Sequence, residues 1–247
     1  MDTKQLQILS SASLTILMVL FQNFQFMPED LMGLKPVDNT QRSEHAKELL
    51  GKKYKKSPAS KSDQLLNLHF KLYQEVRKQL PSKHRPHAFR ITRAILNESS
   101  KYNFDPIFVA AIIKTESSYN PLAVGGVGEI GLMQIRPETA KWMAEKMKIS
   151  YLNHHELKDP VKNIQIGVAY MDYLREKFPA KSYRYIAAYN MGPKNVRRLL
   201  AQDKKPKEYP DRIYNNYNET YKRLVNETVI KTDQVITKLS STNSNVY

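Results

Sequence analysis

Glu116 is the residue of this sequence around which acid–base chemistry can be built. It follows the apolar run Phe108 to Ile113, in a stretch that reads FVAAIIKTESSYNPLAVGGVGEIGLMQIRPETA from Phe108 to Ala140. Phe108, Ile112 and Glu116 stand at i, i+4 and i+8, so on a helix the carboxyl lies on or beside the apolar face. Poor solvation there raises a carboxyl pKa, which is what a general acid at neutral pH requires. After the acid the chain passes Asn120-Pro121 and a loop containing Gly125, Gly126, Gly128 and Gly131, then re-enters a helix at Pro137. With Gly192, these are five of the eight glycines in the chain. That concentration of backbone freedom suits a loop that shapes a cleft.

The elements that must position the acid read as helices. Asp105-Pro106 is a helix start, with an N-cap acid followed by proline at N1. Amphipathic spacing predicts helices over Ser43–Leu50, Ser62–Leu80 (with Leu65, Leu66, Leu68, Leu72 and Val76) and Arg90–Tyr102. Further helices are expected at Pro137–Met147, Pro160–Phe178, Ser182–Met191 and Pro193–Ala201, and over Asp211–Lys238 with breaks. No strand pattern competes, apart from a short hairpin in the glycine loop. The expected fold class is all-α, or nearly so.

A chain of 247 residues, 41% of them apolar and 10% aromatic, can build a sizeable core. A formal charge of +15 favours an anionic partner: nucleic acid, anionic lipid or an acidic cell-wall polymer. The lysines are scattered rather than gathered on a base-reading helix, so nucleic acid is the weakest of the three. There is no cysteine, hence no disulfide and no cysteine-ligated metal. Six histidines without an H-E-x-x-H arrangement argue against a zinc hydrolase. His154 and His155 are adjacent and read as surface residues rather than a metal pair. No cofactor and no metal are expected.

Residues 1–28 contain an uncharged run from Gln5 to Pro28 with an apolar centre, Leu14 to Phe21, behind Lys4. This pattern reads as a signal peptide or an uncleaved signal anchor, implying export to the envelope and membrane association through that segment; a buried helix is the alternative. Residues 29–84 read as a basic linker and helical extension, with Lys52, Lys53, Lys55 and Lys56 forming either a solvated face or an anionic-surface contact. Residues 85–205 are the expected catalytic domain and 206–239 a Tyr-rich helical extension. Residues 240–247 are the expected disordered tail.

Four short stretches follow one another in order: Glu116-Ser117; Gly131-Leu132-Met133-Gln134-Ile135; Leu157-Lys158-Asp159-Pro160-Val161-Lys162-Asn163-Ile164, leading to Gly167; and Ala188-Tyr189-Asn190-Met191-Gly192. Together they resemble the soluble lytic transglycosylase domain, a lysozyme-like family related to goose-type lysozyme, over roughly Ile91 to Leu200. The resemblance implies a lysozyme-like helical domain acting on peptidoglycan glycan strands. It implies that Glu116 protonates the β-1,4 bond between N-acetylmuramic acid and N-acetylglucosamine. As a carboxylate, Glu116 then takes the proton of the muramoyl 6-hydroxyl, leaving a 1,6-anhydro end. Ordinary glycosidases use two carboxylates; here the substrate's N-acetyl group is expected to replace the second.

On the same resemblance Ser117, Met133, Gln134, Tyr189 and Asn190 are substrate-binding candidates. The two amides can both donate and accept, Tyr189 could orient Glu116, and Met133 would pack beside a sugar. Each also has a structural reading, as core or turn residue. Glu208 and Tyr214 correspond to a Tyr-rich helix that closes the cleft in many members. Two departures stand out. Gly125 replaces a usual serine, and Glu129 replaces a small residue, where it could raise the Glu116 pKa, hold a water, or pair with Arg136. Goose-type-like hydrolysis and a non-catalytic peptidoglycan-binding or scaffolding role are the alternatives.

Overall fold

Short capping motifs set the helix starts in the computed structural model, which describes residues 33–62, 67–179 and 181–243. Asp38 accepts from the Thr40 and Gln41 amides to open α1 (Asn39–Leu50). A 3-10 turn, Gly51–Lys56, leads to α2 (Pro58–Lys61), capped by Ser57. Then follow α3 (Leu68–Gln79) and α4 (Ala88–Lys101). Asp105 caps α5 (Pro106–Ser117), and α6 (Pro137–Met147) begins with proline at its first turn. Asp159 caps α7 (Pro160–Lys177), which precedes α8 (Ser182–Met191), α9 (Pro193–Ala201) and α10 (Glu208–Asn243). Side-chain oxygens at the caps satisfy amides that have no partner inside the helix, and proline has no amide to satisfy there.

The fold is all-α and lysozyme-like. Among the described residues the only pairing of extended backbone lies in the glycine loop, where Ile130 bridges Val124 on one side and Ile135 on the other. The expected hairpin is therefore reduced to isolated bridges.

Helix α5 lies at the centre of the core. Each residue from Ile107 to Ile113 is no more than 1% exposed, so the helix is enclosed on every side rather than on one face. Its main neighbour is α10, with α4 on another side; α4 packs on α7, which in turn supports α6 and α8. Ala46 and Leu49 of α1 are buried as their spacing predicts, and so are Arg42 and His45, which hydrophobic patterning alone would not place inside. The four lysines of the 52–56 cluster are exposed around a buried Tyr54.

Several expectations shift. Helix α1 starts at Asn39 rather than Ser43 because Asp38 supplies the cap. Helix α4 starts two residues early, at Ala88, and α3 is described only from Leu68. Helix α10 runs without the expected breaks and includes residues 240–243, which the sequence assigned to a disordered tail. No proline or glycine follows Pro210, and extending an existing helix through ordinary residues costs only tenths of a kcal/mol each, roughly. The signal or anchor segment 1–28, Leu65, Leu66 and the tail beyond residue 243 lie outside the described residues. No described helix is long and apolar enough to cross a membrane.

Candidate active site

Glu116 sits in the last turn of α5, whose burial carries it to the wall of a cleft of about 640 Å³. The helix ends there because Ser118 and Tyr119 turn into left-handed conformations, with φ of +50° and +63°. The buried Tyr119 hydroxyl donates back to the Ala110 carbonyl at 3.2 Å and locks that turn. Gln134, Tyr189 and Asn190 line the same cleft, together with Glu129 and Tyr170. The structure thus brings together the acid, two amides and a tyrosine that lie far apart in sequence.

The loop that carries Gln134 is pinned from behind by Asn163 of α7, a fully buried amide of the third motif to which the sequence assigned no role. Its Oδ1 accepts from the Met133 amide at 2.7 Å, and its Nδ2 donates to the Ile130 and Leu157 carbonyls at 2.8 and 2.9 Å. Gly131 is required at this contact. Its φ is +82°, and a Cβ there would fall 2.4 Å from both Asn163 Nδ2 and the Leu157 carbonyl oxygen. Gln134 itself has φ +48° and donates from Nε2 to the Ala123 and Gly131 carbonyls at 3.2 and 3.0 Å. That fixes the amide plane and leaves Oε1 to accept from a ligand.

Two candidates lie off the cleft wall. Met133 is fully buried, packed against Gly167 where a Cβ would meet its sulfur at 2.6 Å, so its side chain is not available to a sugar. Only its carbonyl reaches towards the cleft, where it accepts from the Tyr189 hydroxyl at 2.8 Å. Ser117 Oγ lies between the Ile113 and Leu132 carbonyls, at 3.1 and 2.8 Å, tying α5 to the loop. Neither residue lines the cleft.

The Tyr-rich helix is present, but a different residue of it reaches the acid. Tyr209 donates its hydroxyl to Glu116 Oε1, and Arg212 lies 5.4 Å over the Tyr209 ring. Glu208 is exposed at the first position of α10, and Tyr214 shares a 2.8 Å hydrogen bond with Ser182. Neither lines the cleft. The periodicity held the signal: Tyr209, Ile213, Tyr217 and Tyr221 repeat at i+4, all four are buried, and Tyr214 falls off that stripe.

Burial pushes Glu116 up to about 7, against the Tyr209 hydrogen bond and the Arg212 charge, which favour the carboxylate; the Glu129 charge adds a small upward push. Glu129 behaves differently. Partial burial would raise it, but hydrogen bonds from backbone amides and from Arg136 hold it below the ordinary carboxylate range. Its Oε1 accepts from Arg136 Nε at 3.1 Å and its Oε2 from the Val127 amide at 3.2 Å. Of the readings open for Glu129, two hold together: it pairs with Arg136, and its charge adds slightly to the rise of the Glu116 pKa. Gly125 belongs to the same arrangement, because a Cβ on it would stand 2.5 Å from Glu129 Oε2 and 2.8 Å from Gln134 Oε1. The two departures from the family pattern are therefore one: the Glu129 carboxylate occupies the space that a side chain at 125 would need. Among the described residues no cluster of three His, Cys, Asp or Glu side chains could hold a metal ion, and His154 and His155 are exposed.

A helical lysozyme-like domain whose buried helix ends in a protonable glutamate, facing a polar cleft, defines the class. Residues 93–211 match the Transglycosylase SLT domain family. A putative soluble lytic murein transglycosylase of Haemophilus influenzae is 36% identical over 100 residues, which is 40% of this chain and 17% of that protein. A membrane-bound lytic murein transglycosylase C of Histophilus somni is 33% identical over 144 residues, 51% of this chain and 39% of that one. Among solved structures, the 70 kDa soluble lytic transglycosylase of Escherichia coli aligns with a TM-score of 0.50 and 26% identity, over 76% of this chain and 33% of that one. The chain thus spans well under half the length of these relatives.

Proposed function

We propose that the protein is a peptidoglycan lytic transglycosylase of the bacterial cell envelope, cleaving the β-1,4 bond after N-acetylmuramic acid with Glu116 as acid and then base. The observation that carries this reading is the difference between the two carboxylates on the cleft wall. Glu116 is desolvated and held near neutrality, whereas Glu129 is ionised and tied to Arg136. One group is thus able to give and retake a proton, and the other is committed to the loop.

In the first half-reaction protonated Glu116 transfers its proton to the glycosidic oxygen as the C1–O bond breaks. The positive charge at the anomeric carbon is taken up by the substrate's N-acetyl oxygen. Gln134 Oε1 and the Asn190 amide are placed to bond sugar hydroxyls and N-acetyl groups. In the second half-reaction the Glu116 carboxylate, stabilised by Tyr209, removes the 6-hydroxyl proton while that oxygen bonds to C1. The 1,6-anhydro ring closes, no water enters the balance, and Glu116 is returned protonated. The membrane-bound and soluble names of the relatives fit an envelope location for this chain too.

Mass spectrometry of products from purified sacculi tests the proposal: anhydromuropeptides are expected. Reducing-end products alone would replace it with hydrolysis of the goose-type kind. Glu116→Gln is expected to lower turnover by roughly a hundredfold or more, the usual order for losing a general acid–base group. The variant should still bind glycan strands.

A further inference from the structure

The cleft does not end at the catalytic acid. Tyr189 and Tyr170 both line it, with ring centroids 5.6 Å apart. Tyr170 in turn meets Trp142 edge-on, at 6.4 Å and 90°, and Trp142 meets Tyr173 at 4.8 Å and 75°. Glu138 of the cleft wall and Trp142 are i and i+4 on α6, so they lie on one face of that helix a turn apart. A continuous row of aromatic side chains therefore leads from the wall of the cleft to Trp142, which stays 40% exposed.

A single exposed apolar side chain is ordinary on a protein surface. Here two further observations point to an occupant. The row is continuous with the cleft, and its outer end is basic. Lys146 and Lys177 lie over the Tyr173 ring at 5.5 and 5.4 Å. Among the described residues neither ammonium has a carboxylate partner. A sugar ring has an apolar C–H face and a polar rim, and aromatic side chains with a polar edge match both. Peptide stems on a peptidoglycan strand carry carboxylates, which the lysines complement.

We infer that the outer end of this row, Trp142 with Lys146 and Lys177, is an additional binding site for a peptidoglycan strand, taking a sugar and its stem beyond the cleaved bond. This rests on the proposed function, and it extends the site from a cleft that cuts to a track that selects long, stem-bearing strands.

Trp142 is the only tryptophan in the chain, so the site reports on itself. The test uses the whole chain carrying Glu116→Gln and a ladder of purified peptidoglycan strands beginning at the disaccharide, with binding followed by calorimetry and by tryptophan emission. Emission is expected to stay constant with the disaccharide and to shift once the strand is long enough to leave the cleft. Trp142→Ala should lower the ratio of long-strand to disaccharide affinity about tenfold, and Trp142→Phe should restore most of it. Lys146→Ala with Lys177→Ala should weaken strands with stems more than strands stripped of them by an amidase. Long strands that bind by calorimetry with unchanged emission, and equally well to Trp142→Ala, would overturn the site while leaving the proposed function standing. Failure of every strand to bind would remove both.

Discussion

The Tyr209 hydroxyl sets how readily Glu116 changes protonation state, because it is the strongest of the groups that favour the carboxylate. In the proposed mechanism bond cleavage needs protonated Glu116, so with its pKa at about 7 the rate should fall as pH rises through neutrality. Tyr209→Phe removes a donor to the charged form and so raises the Glu116 pKa further. The alkaline limb of kcat should move to higher pH. Below that limb kcat should fall roughly tenfold or more, since a hydrogen bond to a charged group contributes about 1.5–3 kcal/mol and the second half-reaction loses its stabilised carboxylate. A pH–rate profile on soluble glycan checks both, and an unmoved limb would remove Tyr209 from this role. Gly125 makes a second residue-scale case. Gly125→Ala places a Cβ against Glu129 Oε2 and Gln134 Oε1, the ends of two flexible side chains at a half-exposed position, and should cost about 1 kcal/mol as they shift. In the Glu129→Ala background the same change should cost much less, so denaturant titration of the four proteins should reveal strong coupling; additive values would mean that Glu129 and residue 125 do not share that space. At this scale the sequence was readable wherever a side chain faces the cleft, as with Glu116, Gln134, Tyr189 and Asn190. For Ser117 and Met133 the sequence left a structural and a substrate-binding reading open, because their surroundings depend on which backbone carbonyl and which glycine lie opposite them.

Helices α5 and α10 are joined at both ends of their contact, and Asp105 holds the end away from the acid. Its Oδ1 accepts the Ile107 amide at 2.9 Å, and its Oδ2 accepts the Tyr217 and Tyr221 hydroxyls at 2.6 and 2.7 Å. Those two tyrosines, one turn apart, fix the rotation of α10 about its axis and therefore the direction of Tyr209, two turns earlier on the same stripe. The Asp105 amide donates to His45 Nδ1 at 3.0 Å, and His45 Nε2 lies 3.3 Å from the Tyr185 hydroxyl. Burial, with Arg175 adding to it, holds His45 well below its ordinary pKa, which suits a neutral ring that accepts at Nδ1 and donates at Nε2. Asp105→Ala removes a cap worth about 1 kcal/mol and leaves two buried hydroxyls without their acceptor, at roughly 1–3 kcal/mol each. Stability should drop by about 3 kcal/mol or more, read by urea unfolding. In the folded fraction the kcat profile should shift towards that of Tyr209→Phe, which a purely structural cap would not cause. The cap was visible in Asp105-Pro106, and the boundaries of α6, α8 and α9 followed from local marks such as a leading proline. The tyrosine clamp was not visible, because its partners lie over a hundred positions apart and only packing brings them together.

Residues 35 onward form one compact unit, and the acid's environment draws on all of it rather than on the segment that carries the motifs. The catalytic domain expected at 85–205 stops short of Tyr209 and Arg212. It also omits Arg42, which donates to the Tyr221 hydroxyl at 3.0 Å, Glu48, which pairs with Arg175, and Glu75, which pairs with Arg223. Short motifs mark the groups that line the cleft, whereas the groups that tune the acid come from flanking helices whose sequence carries only an apolar stripe. A chain cut to residues 85–205 would leave Glu116 without its hydroxyl donor and Asp105 without either tyrosine. It would also expose the apolar surface that Tyr209, Ile213, Tyr217, Tyr221 and Leu224 now cover. Burying a large side chain contributes roughly 1.5–3 kcal/mol, so losing five exceeds the whole stability of an ordinary domain, about 5–15 kcal/mol, at its lower end. The expected outcome is no cooperative thermal transition by circular dichroism and no muralytic activity for residues 85–205. Residues 35–243 should melt cooperatively and keep the alkaline limb near neutrality. If 85–205 folded and retained that limb, the raised pKa of Glu116 would be a property of α5 and its loop alone, and α10 would be a cover rather than part of the site.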